Sequence, residues 1–177
     1  MARTLATVIT VTVLLSLLGL MLRSWRRRSR RDAALPAGYP LPVAAAVELA
    51  TAAVLYVATT RRAQPLERLQ IPGLGFRARA HLTITDAGVI LALAGEEAVF
   101  IPTSAIAVLE DATVAIDRVV ETDGLLLLGW RLPGAGSQIV DSYFRILDPS
   151  DRVSVNDAIR TIAADALRPA APDESEA

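Results

Sequence analysis

The sequence predicts a mainly β domain behind one membrane-spanning helix: a small seven-stranded sandwich or half-open barrel, capped by a C-terminal α-helix. Three observations predict it. Thr4–Leu22 is a run of 19 residues without a charge. From Phe76 onward the chain changes to a two-residue alternation broken by Gly- and Pro-containing turns. After Asp148 the apolar spacing becomes helical.

The first run is bounded by Arg3 and Arg23. At about 1.5 Å per residue it spans about 28 Å, the thickness of a bilayer's hydrocarbon. Eleven of its residues are Leu, Ile or Val, so insertion gains roughly 3 to 7 kcal/mol before the Thr, Ser and Gly terms. Arg23, Arg26, Arg27, Arg28, Arg30 and Arg31 follow, with Trp25 among them. That asymmetry predicts an arginine side in the cytoplasm, an amino terminus outside, and a single pass through the plasma membrane. Trp25 suits the headgroup level. A cleaved signal peptide would carry its charge before the apolar run and a small-x-small site after it; this segment does neither. The arginines read first as topology determinants among anionic headgroups, and the sharper reading is recognition of a specific anionic lipid.

Charge divides sharply. Residues 1–32 hold seven arginines and one acid, +6; residues 33–177 hold 11 arginines and 18 acids, −7. A soluble part of that sign is a poor nucleic-acid binder. No Cys and one His, His81, leave no thiolate zinc site, no disulfide framework and no histidine-based metal site. No cofactor is expected.

Asp32–Pro42 reads as an extended spacer, because Pro36, Gly38, Pro40 and Pro42 break helix. Val43–Thr59 has two readings. One is an Ala-rich helical or irregular lead-in followed by a strand at Val54–Thr60. The other is a second membrane helix, opposed by Glu48, whose charge at depth offsets the few Leu and Val. The domain organisation is thus an anchor with its arginine flank at 1–31, a Pro/Ala-rich linker at 32–53, a β-rich domain at 54–168 and an acidic, disordered tail at 169–177.

Within the domain, Phe76, Ala78, Ala80, Leu82 and Ile84 alternate with Arg77, Arg79, His81, Thr83 and Thr85, a strand with one buried face. Asp86-Ala87-Gly88 turns into a strand at Val89–Leu93. Gly95-Glu96-Glu97 turns into Ala98–Ile101, stopped by Pro102. Ala105–Leu109 and Ala112–Val120 are further strands, and Thr122-Asp123-Gly124 is a turn. Leu125–Leu132, with Trp130, is the most apolar strand. Pro133-Gly134-Ala135-Gly136 loops back to Gln138–Ile146. Asp148 is an N-cap and Pro149 a first helical residue. Val155, Ile159, Ile162, Ala163, Ala166 and Leu167 then form one apolar stripe, and Pro169 ends the helix.

Several stretches match a known pattern: Leu55–Thr60, Gly73–Ala80, Leu82–Val89, Phe100-Ile101-Pro102, Gly129–Leu132 and Asp141 to Phe144. With the anchor, they make the chain resemble actinobacterial single-span membrane proteins that carry a PH-like domain, many known only as export or membrane proteins. The likeness covers roughly residues 54–165. It implies a PH-like fold and a non-catalytic binding or scaffold role. Genes of such proteins commonly lie beside those for carbamoyl-phosphate synthase and pyrimidine synthesis, which implies a metabolic enzyme or membrane complex as protein partner. Val43–Ala53 departs from the family by being more hydrophobic than its linker.

Arg77, Arg79 and His81 share a strand face and are the candidate anion-binding set; the plainer reading is a solvated outer face. Trp130 and Phe144 read as core packing, with a partner-peptide groove as the alternative. Glu96 with Glu97, and Glu110 with Asp111, point to opposite faces and cannot easily share a proton. Ser104, Ser137, Ser142, Ser150 and Ser154 include no nucleophile elbow, and Gly73-Leu74-Gly75 is no phosphate loop. The sequence therefore points to a membrane-anchored binding or scaffold module. An anionic lipid or small-anion sensor and an accessory transporter subunit are the alternatives, and no catalytic residue is expected.

Overall fold

The computed structural model describes residues 2–112, 114–115, 118–119, 124–134, 138–164 and 167. The expected turn at Thr122-Asp123, the loop residues 135–137, Ala166, the stop at Pro169 and the acidic tail lie outside them. The chain divides into two compact units, Met1–Ala34 and Leu35–Ala177.

The first unit is one helix, α1, over Ala2–Asp32. It is long and apolar enough to cross a membrane. Leu14, Leu15, Leu17, Leu18 and Leu20 are each more than half exposed. Three of its hydroxyls bond within the helix. Thr10 Oγ1 donates to the Ala6 carbonyl at 2.9 Å, Thr12 Oγ1 to Val8 at 2.8 Å and Ser16 Oγ to Thr12 at 2.8 Å. This back-bonding removes the penalty a bare hydroxyl would meet in hydrocarbon.

The second unit is an antiparallel β structure closed by a helix. Its strands are β1 (Glu48–Arg61), β2 (Gln64–Arg68), β3 (Ala78–Thr85), β4 (Gly88–Leu93), β5 (Val99–Pro102), β6 (Ile106–Ala112), β7 (Val114–Ala115), β8 (Arg118–Val119), β9 (Leu125–Arg131) and β10 (Ile139–Ile146). The helix α2 covers Pro149–Ile162. The main sheet runs β5-β4-β3-β1-β10-β9-β6, with β2 added on β1; β7 and β8 pair separately. This is the expected mainly β architecture with its C-terminal helical cap.

β1 is the shared strand. Its first part pairs with β3, from Glu48↔Thr85 to Tyr56↔Ala78, and its second with β10, from Val54↔Ile146 to Arg61↔Val140. Between Tyr56 and Ala58 the register steps by one residue. Such a bulge bends the strand and resets which side chains point inward. Ala58, Thr59 and Thr60 are accordingly all buried.

Two expectations change here. β1 begins at Glu48, six residues before the expected Val54, so only residues 43–47 form an irregular lead-in, and the rest of the Ala-rich stretch is strand and no spanning helix. Neighbours on both sides decide this. Ladder bonds to β3 and burial of Ala52 and Val54 outweigh alanine's weak helix preference. Residues 35–42, expected as an extended spacer, are irregular and docked. Tyr39 N–H donates to the Phe100 carbonyl at 2.9 Å, its hydroxyl donates to the Arg131 carbonyl at 3.1 Å, and Leu35 and Ala37 pack on the core.

Phe76, expected on the buried face of the next strand, is 72% exposed, because β3 starts only at Ala78. At the turn and the helix start the local chemistry acts as expected. Gly88 follows the β3–β4 turn, where a Cβ would sit 2.2 Å from the Ile101 carbonyl oxygen. The Asp148 carboxylate accepts from the Ser150 N–H at 2.9 Å and from its hydroxyl at 2.7 Å, capping α2. Val155, Ile159 and Ala163 are buried, and α2 packs on β1, β3, β4, β6 and β10.

Candidate functional site

On β3, Ala80, Leu82 and Ile84 enter the core while Arg79 and His81 stand exposed on the other face, with Arg77 exposed just before the strand. Alternation alone produces this separation. The sheet adds another arginine. Leu55 pairs with Arg79 on one side and with Arg145 of β10 on the other. At about 4.8 Å between strands, the Arg79 and Arg145 backbones lie about 10 Å apart across Leu55. Arg145 is exposed, since Phe144 and Ile146 take the inward positions. Arg79 and His81 flank a shallow recess of about 370 Å³, with Ala53, Ala92, Ala94 and Leu147 along its wall. Among the described residues, no carboxylate lies within ion-pair distance of Arg77, Arg79, His81 or Arg145.

Other arginines of this unit are engaged. Arg61 pairs with Glu67 at 3.1 Å, and Arg62 pairs with Asp141 at 3.0 Å and Glu110 at 3.7 Å. Arg152 pairs with Asp111. The adjacent acids Glu110 and Asp111 thus serve two different arginines, as their opposite directions on β6 require.

On α1, Arg23, Arg26, Arg27 and Arg30 line a concavity of about 700 Å³ beside Gly19 and Leu22. Their spacing of three and four residues puts them along one side of the helix. Trp25 is half exposed, and Arg31 donates to Asp32 at 2.8 Å. The Arg28 side chain is outside the described residues.

Trp130 and Phe144 are fully buried, which supports core packing and removes the groove alternative. They frame a chain of hydrogen bonds. Trp130 Nε1–H donates to Ser142 Oγ at 2.9 Å, and Ser142 Oγ lies 2.8 Å from Thr59 Oγ1. The Tyr56 hydroxyl lies 2.9 Å from Thr59 Oγ1 and 2.8 Å from the Leu74 carbonyl. Tyr56 has one proton and a carbonyl only accepts. The consistent direction is therefore Trp130 to Ser142 to Thr59 to Tyr56 to Leu74, with every proton used. Burial pushes the Tyr56 phenol up to about 12, more than its Thr59 contact and Arg68 lower it.

This antiparallel half-barrel with its helical cap has a counterpart. Residues 34–160 match the family described as bacterial PH domain-like. The chain belongs to that family. No curated protein matches it. The PH-like domain so defined starts at residue 34, which takes in the docked stretch at 35–42. PH-like domains are generally non-catalytic binding modules.

Three of the four basic side chains on the outer face of the PH-like domain were legible by alternation. Arg145 was not, because its place beside Arg79 depends on β10 lying next to β1. Glu96 and Glu97 line a separate recess of about 350 Å³ with Gly38, Tyr39 and Gly73. Ser142 belongs to the core chain, Ser150 to the α2 cap, and Ser137 is outside the described residues. Among the described residues, no three His, Asp or Glu side chains gather as metal ligands.

Proposed function

We propose that this chain is a membrane-anchored, non-catalytic PH-like binding module that holds a protein partner at the cytoplasmic face of the plasma membrane. The observation that carries the reading is α1. Its apolar side chains are exposed among the described residues, and arginines crowd its following turns. A bilayer accounts for both, and the positive-inside bias then leaves the amino terminus outside and the PH-like domain in the cytoplasm.

Partner engagement is supported by the sheet's ends. Its path terminates on β5 and β6. Tyr39 pairs with the β5 edge at Phe100, whereas β6 pairs with β9 alone among the described residues. An unpaired edge offers N–H and carbonyl groups to another chain's strand. A metabolic enzyme or a membrane complex is the expected class of partner.

The test is crosslinking of the intact chain in native membranes, followed by purification in detergent. One stoichiometric protein is expected, and it should persist when Thr4–Leu22 is exchanged for an unrelated span. Recovery of the chain alone would overturn partner engagement. Recovery from the aqueous fraction would overturn anchoring.

A further inference from the structure

We infer that the outer face of β1, β3 and β10 lies against anionic lipid headgroups, with Arg79 and Arg145 as its two main contacts. The inference rests on the anchoring reading above and goes beyond it, because an anchor alone does not choose which face meets the leaflet.

Four observations carry it. The first is charge sign. The chain beyond residue 32 is −7, yet this face gathers Arg77, Arg79, His81 and Arg145 without an ion-pair partner among the described residues. A body acidic overall with one cationic face meets a negative surface in one orientation. The second is register. Arg79 and Arg145 flank Leu55 across three neighbouring strands, a spacing of about 10 Å that reaches two adjacent headgroups or the two sides of one. The third is shape. The recess beside Arg79 and His81 is walled by alanines, which leaves a phosphate access between these two side chains. The fourth is apolar exposure. Leu147, on the wall of that recess, is 49% exposed, and Phe76, next to Arg77 in the chain, is 72% exposed; a leucine and an aromatic near arginines suit the boundary between headgroups and acyl chains.

A leaflet fits these features better than an acidic protein segment. The cations lie on a broad sheet face, and the exposed apolar side chains at its margin have no use in a purely ionic contact. Individually the contacts are weak. A tether changes that, because it holds the domain near the surface at an effective concentration on the order of millimolar.

The test uses the whole chain in lipid nanodiscs. The sequence has no Cys, so Phe76→Cys accepts a single fluorophore, and Val153→Cys on α2 supplies a control at an exposed site. The quencher is a nitroxide on the lipid headgroup. Quenching at position 76 is expected in discs of phosphatidylcholine mixed with phosphatidylglycerol. It should be lost in phosphatidylcholine alone, in raised salt, and in the Arg79→Ala/Arg145→Ala double variant. Position 153 should stay unquenched throughout. Both arginines are exposed, and an unchanged unfolding temperature confirms that the double variant folds. Equal quenching with and without phosphatidylglycerol, or quenching indifferent to the two arginines, overturns the inference while leaving anchoring intact. A chain that fails to enter the discs overturns anchoring and this inference with it.

Discussion

The indole N–H of Trp130 donates to the Ser142 hydroxyl at 2.9 Å, and both side chains are buried. Ser142 is the hinge of the buried chain, because it accepts from Trp130 and also bonds Thr59. Ser142→Ala strands the indole N–H and removes one bond from Thr59. A buried donor left without a partner costs about 1 to 3 kcal/mol. Urea unfolding of the detergent-solubilised chain should show that loss. Ser142→Thr, which keeps the hydroxyl, should lose less.

Tyr56 gives the fold an alkaline limit. Its phenol ionises near pH 10 when unfolded and only near 12 when folded. Stability from this group is complete below pH 10 and falls as pH rises towards 12, because the unfolded chain ionises first. The full difference is worth about 3 kcal/mol. In Tyr56→Phe the fall between pH 10 and 12 should flatten, while stability at neutral pH drops by about 1 to 3 kcal/mol, because the buried Thr59 hydroxyl loses its acceptor and the Leu74 carbonyl its donor. Burial raises the Tyr143 phenol in the same direction, so a residual slope should remain. Thermal unfolding across that pH range measures both.

Two glycines at positive φ, Gly88 at +151° and Gly95 at +85°, differ in crowding. A Cβ at Gly88 would stand 2.2 Å from the Ile101 carbonyl oxygen, whereas at Gly95 it would meet nothing within 4 Å although φ is +85°. Gly88→Ala should disrupt the β4–β5 pairing and leave little folded protein. Gly95→Ala should fold and lose only about 1 to 2 kcal/mol of backbone preference. Soluble yield of the detergent-extracted chain and its unfolding midpoint distinguish the two.

Asp141 holds the β1–β2 turn. Its carboxylate takes Arg62 at 3.0 Å and the Ala63 N–H at 3.1 Å, and Ala63 sits at φ +59°. Asp141→Ala should cost about 2 to 3 kcal/mol, less than for a fully buried pair because the Arg62 side chain stays 37% exposed. Glu110→Gln, at an exposed acid 3.7 Å from Arg62, should stay within about 0.5 kcal/mol. Ala63→Gly should relieve the left-handed backbone and gain up to about 1 kcal/mol. Chemical unfolding of the three variants side by side checks the order.

The hairpins from Ala78 to Pro102 and the cap of α2 were legible because alternation, turn residues and an N-cap act over a few residues. Three features were not. β2 reads Gln-Pro-Leu-Glu-Arg, with no two-residue period, and it is a strand only because Thr60 and Arg61 lie beside it. The first half of β1 is rich in alanine, which carries no β signal until β3 pairs with it. Tyr39 reaches Phe100 and Arg131 across 61 and 92 residues of chain, contacts that no local pattern encodes. One weak signal was available for the buried chain. In Val140-Asp141-Ser142-Tyr143-Phe144, alternation points Ser142 inward between Val140 and Phe144, so an inward hydroxyl needs a partner.

Because β1 borders both β3 and β10, the two halves of the sheet share a single piece of backbone. Cleaving the chain at the Asp86-Ala87 turn leaves a first fragment that still owns β1, so two separately expressed pieces should reassemble when mixed. Cleaving it beside Leu55 divides that common spine, and complementation should fail.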